Sequence, residues 1–344
     1  FPHATPADCS AHSYNRGKYE WIAPQMAHND LNVVIGGGAS LLPEESEAYL
    51  KGNGYGIFKN DIDGMRNYKG NNMWALFGDR EMAYDIDRDP SQQPSLEEMT
   101  RKAIEKLSQN PNGFFLMVEG SKVDWAAHAN DPVGMATDML AFDRACGAAL
   151  EFARQNGETA VVIVPDHGNS GISIGRADCK GYDKLSKDQL FHQLSLYKLT
   201  AEGFAKKVNS VPNSEVQNVF REYAGFELTP EELDALNHCK NYKNSPIPEN
   251  ERSIEGKGSL YSSSHVQAAY LQNLFRFHNR RPHRRRGVPC SLPSQPYKLT
   301  SRYAHEYRTE SLSLCPVRHD TRHAGRTDSR KLRSSHGSIQ RFQM

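Results

Sequence analysis

The chain has 344 residues and opens on Phe1, a length that holds one large domain or two ordinary ones. An apolar share of 38 % beside 24 % charged residues fits a globular core, and a formal net charge of +1 gives no bulk attraction to nucleic acid or membrane. No run of about 18 apolar residues occurs, so the sequence predicts no transmembrane segment. No secretory leader is visible; a start without Met points to mature processing or to a front segment outside this sequence.

The first strong element is Asn32 to Gly38 (NVVIGGG), a β-branched run ending in three glycines, which predicts a buried strand and a tight turn. Trp74 to Gly78 predicts a second strand, Gly113 to Val118 (GFFLMV) a third and Ala160 to Val164 (AVVIV) a fourth. Their hydrophobicity is continuous and not alternating, as in strands covered on both faces. Between them, Pro94 to about Leu107 predicts a helix, with Ser95 as N-cap and Glu98 completing a capping box. A further helix is predicted over 131–154, with Met135, Met139, Leu140, Phe142 and Leu150 at roughly helical spacing. The alternation predicts an α/β layered sandwich, with helices on both faces of a central sheet.

Residues 172–261 are more polar and mostly helical in pattern. They read as an insertion over the sheet edge of the 1–171 core. One helix is predicted at Pro230–Leu236, capped by Thr229. From 262 to 344 Arg, Ser, His and Pro dominate without a sustained period, as in the run Arg280 to Arg286. Of six cysteines, at positions 9, 146, 179, 239, 290 and 315, none forms a C-x-x-C pair, so a zinc ribbon is not expected; one or two disulfides stay open.

The chemistry-bearing residues cluster at strand ends. In Val118 to His128 (VEGSKVDWAAH) an apolar run delivers Glu119, and Asp124 and His128 sit four apart, on one face of a helix. A carboxylate and an imidazole so placed can chelate zinc, or simply form a surface pair. The apolar run at 160–164 likewise ends in Pro165-Asp166-His167-Gly168. Nitrogen and oxygen donors of this kind suit zinc, while an oxygen-rich neighbour such as Glu119 suits magnesium.

In order and spacing, Glu119, Asp124 and His128 followed by Asp166-His167 resemble the alkaline phosphatase family. So do His3 to Ala7, Ala11-His12 and Arg16, the glycine-ended run at 32–38, Tyr84 to Asp89, and Pro94 to Gly120. The likeness is dense to about Gly171 and thins beyond. It implies a mostly parallel sheet, and hydrolysis of phosphate monoesters by two zinc ions and one magnesium through a phosphoserine. On this reading Asp124 and His128 bind one zinc, Asp166 and His167 the other, and Thr5 and Glu119 the magnesium. Arg16 clamps two phosphoryl oxygens, with His3 and Trp125 close behind. A periplasmic or secreted setting and a homodimer belong to the same implication. Residue by residue, plainer roles compete: Thr5-Pro6 can open a helix, Arg16 can be a solvated arginine, and His3, Trp125 and His12 can be structural.

Two parts of the family pattern are missing. The nucleophilic serine and a bridging aspartate belong upstream of His3, so no catalytic nucleophile is assigned and the chain as written is expected not to turn over. The third zinc histidine belongs in a late G-G-H-T-G string, absent here. Given suitable synonymous codons read one base later, residues 275–293 spell a segment containing that string. The expectation is a reading-frame shift between about Ser262 and Phe275, which makes 262–344 out-of-frame text. Other readings are a related phosphodiesterase or sulfatase-like hydrolase, a non-catalytic metal-binding remnant, and a basic-tailed nucleic-acid binder. The last is disfavoured because no aromatic residues are interleaved with the arginines in an ordered way.

Overall fold

The structure is a computed structural model that describes residues 1–169, 184–230 and Leu233. The expectations for the Pro230–Leu236 helix, for the tail from 262 and for four of the cysteines lie wholly or largely outside these residues. Cys9 and Cys146 are both free.

A parallel sheet organises the first half of the chain. Strands β1 (Val33–Gly37), β2 (Gly56–Lys59) and β3 (Met73–Phe77) lie in the order β1-β3-β2, with Val33 opposite Met73 and Gly56 also opposite Met73. All five residues of β3 are fully buried, which explains its unbroken apolar text. The two-residue period sorts them. Trp74 and Leu76 face a cluster with Val34, Ile22, Met26 and Leu50, contributed in part by α2 (Tyr19–Ala27) and α3 (Glu44–Gly52). Met73, Ala75 and Phe77 face Val33, Ile35, Met65, Met99 and Ala103, which draws in α4 (Ile62–Asn67) and α5 (Leu96–Leu107). Helices therefore cover both faces, and the α/β class holds.

The turns at the strand ends need glycine. A Cβ on Gly37 would stand 2.8 Å from the Glu81 Cα, and Gly78, at φ +64, would drive one into the Glu81 carbonyl. The loop after β3 thus folds tightly over the end of β1, where Ala39 N–H donates to Gly78 O at 2.8 Å.

Helix α5 starts where the capping box placed it, with Ser95 Oγ accepting from Glu98 N–H at 3.1 Å. Helix α6 spans Ser121–His128, and α7 runs Pro132–Asn156 behind Asp131 and ends on left-handed Gly157. The more polar stretch is helical where described: α8 (Lys187–Ser195), α9 (Ala201–Asn209) and α10 (Val216–Ala224). Phe204, Val208, Phe220 and Ala224 bury a separate cluster together with Val133 at the start of α7.

Two predicted strands are not strands. Gly113–Val118 forms no regular element; Phe114, Leu116 and Val118 pack on the β1/β3 cluster while Phe115 is exposed, and no ladder forms among the described residues. At 160–164 the run is also unpaired, and Val162 and Val164 stay 80 % and 71 % exposed. Apolar β-branched text sets an extended preference, but a strand exists only where a neighbour supplies the partner groups.

Candidate active site

Helix α6 begins directly after Glu119-Gly120 and puts Asp124 and His128 on one face, with Oδ2 3.6 Å from Nε2. The segment after residue 164 reaches the same spot. His167 Nε2 lies 4.0 Å from Asp124 Oδ1 and 3.2 Å from Asp166 Oδ2. Asn169 Nδ2 donates to Asp124 Oδ1 at 2.9 Å. The two carboxylate–imidazole pairs picked out in the sequence are therefore neighbours. The Asp166 and His128 side chains are 75 % and 69 % exposed, so attraction within these pairs contributes little to folding.

Glu119 is half-buried beside them. Burial raises its pKa, and the nearby Asp166 and Asp124 raise it further. The Phe1 backbone nitrogen donates to Gly37 O at 2.7 Å.

A second group gathers around Arg16. Helix α1 (Ala4–Ser10) carries Thr5, and His3 stands at its N-cap. Arg16 Nη2 meets His3 Nε2 at 3.1 Å. A guanidinium only donates, so this imidazole nitrogen accepts and its proton sits on Nδ1. Burial and then Arg16 lower the His3 pKa, in keeping with a neutral ring. Trp125 stands edge-on to His3 at 6.1 Å between centroids. The turn holding Arg16 is fixed by Gln25, which accepts from His12 N–H at 2.8 Å and donates to His12 O at 3.1 Å. His12 thus serves through its backbone. No hydrogen bond joins Thr5 to Glu119 among the described residues.

The donor set is of the kind zinc takes: two imidazoles and two carboxylates. No group of three or more such residues is arranged to hold a metal ion among the described residues. The kinds of donor fit, while the enclosing geometry of a closed site is not assembled.

Two residues escaped the sequence reading. Asn169 follows the Asp-His-Gly string but shows no sign of its partner Asp124 in the sequence. Lys122 carried a usable signal, since it stands three residues before Trp125 on one helix.

The alkaline phosphatase family model matches residues 1–222. The chain belongs to the alkaline phosphatase family. Alkaline phosphatase 4 of Bacillus subtilis is 34 % identical over 245 residues, covering 68 % of this chain and 50 % of that protein. The Escherichia coli alkaline phosphatase is 30 % identical over 205 residues, covering 49 % and 43 %. The chain spans about half the length of the curated relatives it matches. Two crystal structures share the fold. The cold-active alkaline phosphatase of Shewanella sp. has 24 % identity and a TM-score of 0.65, over 79 % of this chain and 61 % of that one. The Thermus thermophilus alkaline phosphatase has 24 % identity and a TM-score of 0.63, over 78 % and 57 %.

Proposed function

We propose that this chain carries the phosphate-handling and metal-ligating part of a phosphate monoester hydrolase that works through a phosphoserine, with the nucleophile not supplied by its described residues. The observation that supports this reading is the meeting of Asp124, His128, Asp166 and His167 at one exposed edge, in a chain that also anchors Arg16 on His3. Asp124 with His128 and Asp166 with His167 would hold two zinc ions, and Thr5 with Glu119 a magnesium; bound metals would polarise phosphoryl oxygens and acidify water.

The chain's own residues do the rest. Arg16 offers a planar fork to two phosphoryl oxygens. The neutral His3 holds that fork without competing for the anion. Asn169 orients Asp124, and Trp125 walls the space beside His3. The helical cluster of α9 and α10 supports reading 172–261 as an insertion packed on a 1–171 core. The homodimer and the periplasmic or secreted setting belong to the same proposal.

The test is p-nitrophenyl phosphate hydrolysis by this chain and by a version extended upstream to the relatives' length, with the late reading frame restored. Zinc-dependent turnover in the extended protein, lost on Arg16→Ala, is expected, with none in the 344-residue chain. Turnover by this chain itself would overturn the account of the nucleophile. An extended, zinc-loaded protein without turnover would overturn the phosphatase reading.

One observation favours a second reading, a non-catalytic metal-binding chain: although the four side chains meet, no three donors are arranged to hold a metal ion among the described residues. Zinc binding without turnover in the extended protein would select it.

A further inference from the structure

Arg16 is exposed, and among the described residues His3 is its one side-chain anchor. What holds His3 therefore aims the guanidinium. The imidazole meets Tyr19 at 6.2 Å and Trp125 at 6.1 Å between centroids, both edge-on. Tyr19 is in turn capped by the Arg80 guanidinium at 6.0 Å. The Trp125 indole sits half-buried on helix α6.

Lys122 backs that indole. Its Nζ lies 4.0 Å from the Trp125 ring centroid and 4.6 Å from that of Tyr84. Tyr84 is only 6 % exposed and is fixed in the core. A cation gripped by two aromatic rings joins the half-buried Trp125 to the buried Tyr84. The links run without a gap: Tyr84, Lys122, Trp125, His3, Arg16.

No hydrogen bond or ion pair of Lys122 is found among the described residues, where its ammonium faces the Trp125 and Tyr84 rings. Pure packing would be served as well by methionine. The charge at this position is used on the two rings.

We propose that Lys122 is a positioning residue for the Arg16 phosphate clamp, acting through Trp125 and His3. The inference rests on the reading of Arg16 as that clamp. Lys122 touches neither substrate nor metal on this account; it sets where the guanidinium points and so how tightly a phosphoryl group is gripped.

The test is calorimetric titration of inorganic phosphate into the full chain, with zinc and magnesium present, across Lys122→Met, Lys122→Arg, Arg16→Ala and the double variant Arg16→Ala/Lys122→Met. Thermal melts run alongside confirm that each variant is folded. Lys122→Met keeps the stem and loses the cation, and should weaken phosphate binding about 3- to 10-fold. Lys122→Arg keeps a cation for the rings and should restore most of it. In the Arg16→Ala background Lys122→Met should have no further effect, because the clamp it aims is gone. An equal loss in both backgrounds, no loss at all, or no rescue by arginine overturns the positioning role and leaves the clamp standing. A wild-type chain that binds no phosphate, or an Arg16→Ala variant that binds as well as wild type, sinks the clamp reading and this inference together.

Discussion

Asp138 shows how strongly burial acts on single residues around this site. Its carboxylate is 8 % exposed and accepts only a long 3.3 Å bond from Asp85 N–H onto each oxygen. Desolvation, with a smaller push from Asp85, raises its pKa from 3.8 to about 7. The folded protein therefore keeps a proton here that the unfolded chain releases near pH 4. Between about pH 4 and 7 the native state binds more protons, so this group makes stability fall as pH rises. Asp138→Asn removes the ionisation and keeps an acceptor for Asp85. Urea unfolding at pH 5 and pH 8 should show a gain over wild type that is about 2 kcal/mol larger at pH 8. A gain independent of pH would contradict the raised pKa.

Asp87 is the companion case. Burial raises its pKa, opposed by the side-chain and backbone hydrogen bonds from Thr200. Thr200 N–H donates to Asp87 Oδ1 at 2.9 Å, and the Thr200 hydroxyl donates to Oδ2. Thr200→Val keeps the shape and removes the hydroxyl. It also removes the cap on α9, where the hydroxyl accepts from Gly203 N–H at 3.0 Å. A loss of about 2 kcal/mol in urea unfolding is expected; a loss below about 0.5 kcal/mol would show that the pair is not a stabilising link.

Among the elements, α7 and α9 are tied by one carboxylate. Asp131 Oδ1 accepts from Val133 and Gly134 N–H at 2.9 and 3.0 Å, capping α7, while Oδ2 accepts from Ala201 N–H at 2.7 Å, at the start of α9. The residue is 2 % exposed, so no water replaces it. Asp131→Ala leaves three donors without a partner and should cost about 3 kcal/mol, read as a lowered urea midpoint. An unchanged midpoint would mean that the helical layer is not held by this carboxylate.

What the sequence told about these elements depended on how local their causes are. β1, β3 and α5 were legible, because double-sided burial writes continuous apolar text and a capping box writes Ser95 and Glu98. β2 was not, since a four-residue GIFK strand carries no such run. The runs at 113–118 and 160–164 were over-read: extended preference is local, while pairing depends on a distant neighbour. In the site, the Asp124–His128 spacing was legible because a helix turn fixes it. The approach of His167 and Asn169 to Asp124, and the grip of Lys122 on Tyr84, arise only once remote segments fold together.

At the scale of the whole molecule, the parallel sheet, three-stranded among the described residues, carries helices on both faces, and the candidate site is built by α1, α6 and the segment through Asn169. No helix among the described residues is long and apolar enough to cross a membrane. The family is settled by the match over 1–222, and the open question for this chain is whether its own donors capture metal. Equilibrium zinc binding by the 344-residue chain, beside Asp124→Ala, His128→Ala, Asp166→Ala and His167→Ala, addresses that most directly. The account predicts zinc bound by the wild type and weakened about 10-fold or more by each substitution, because each removes one ligand from an already open site. Zinc binding that is absent, or that survives all four substitutions, would contradict it.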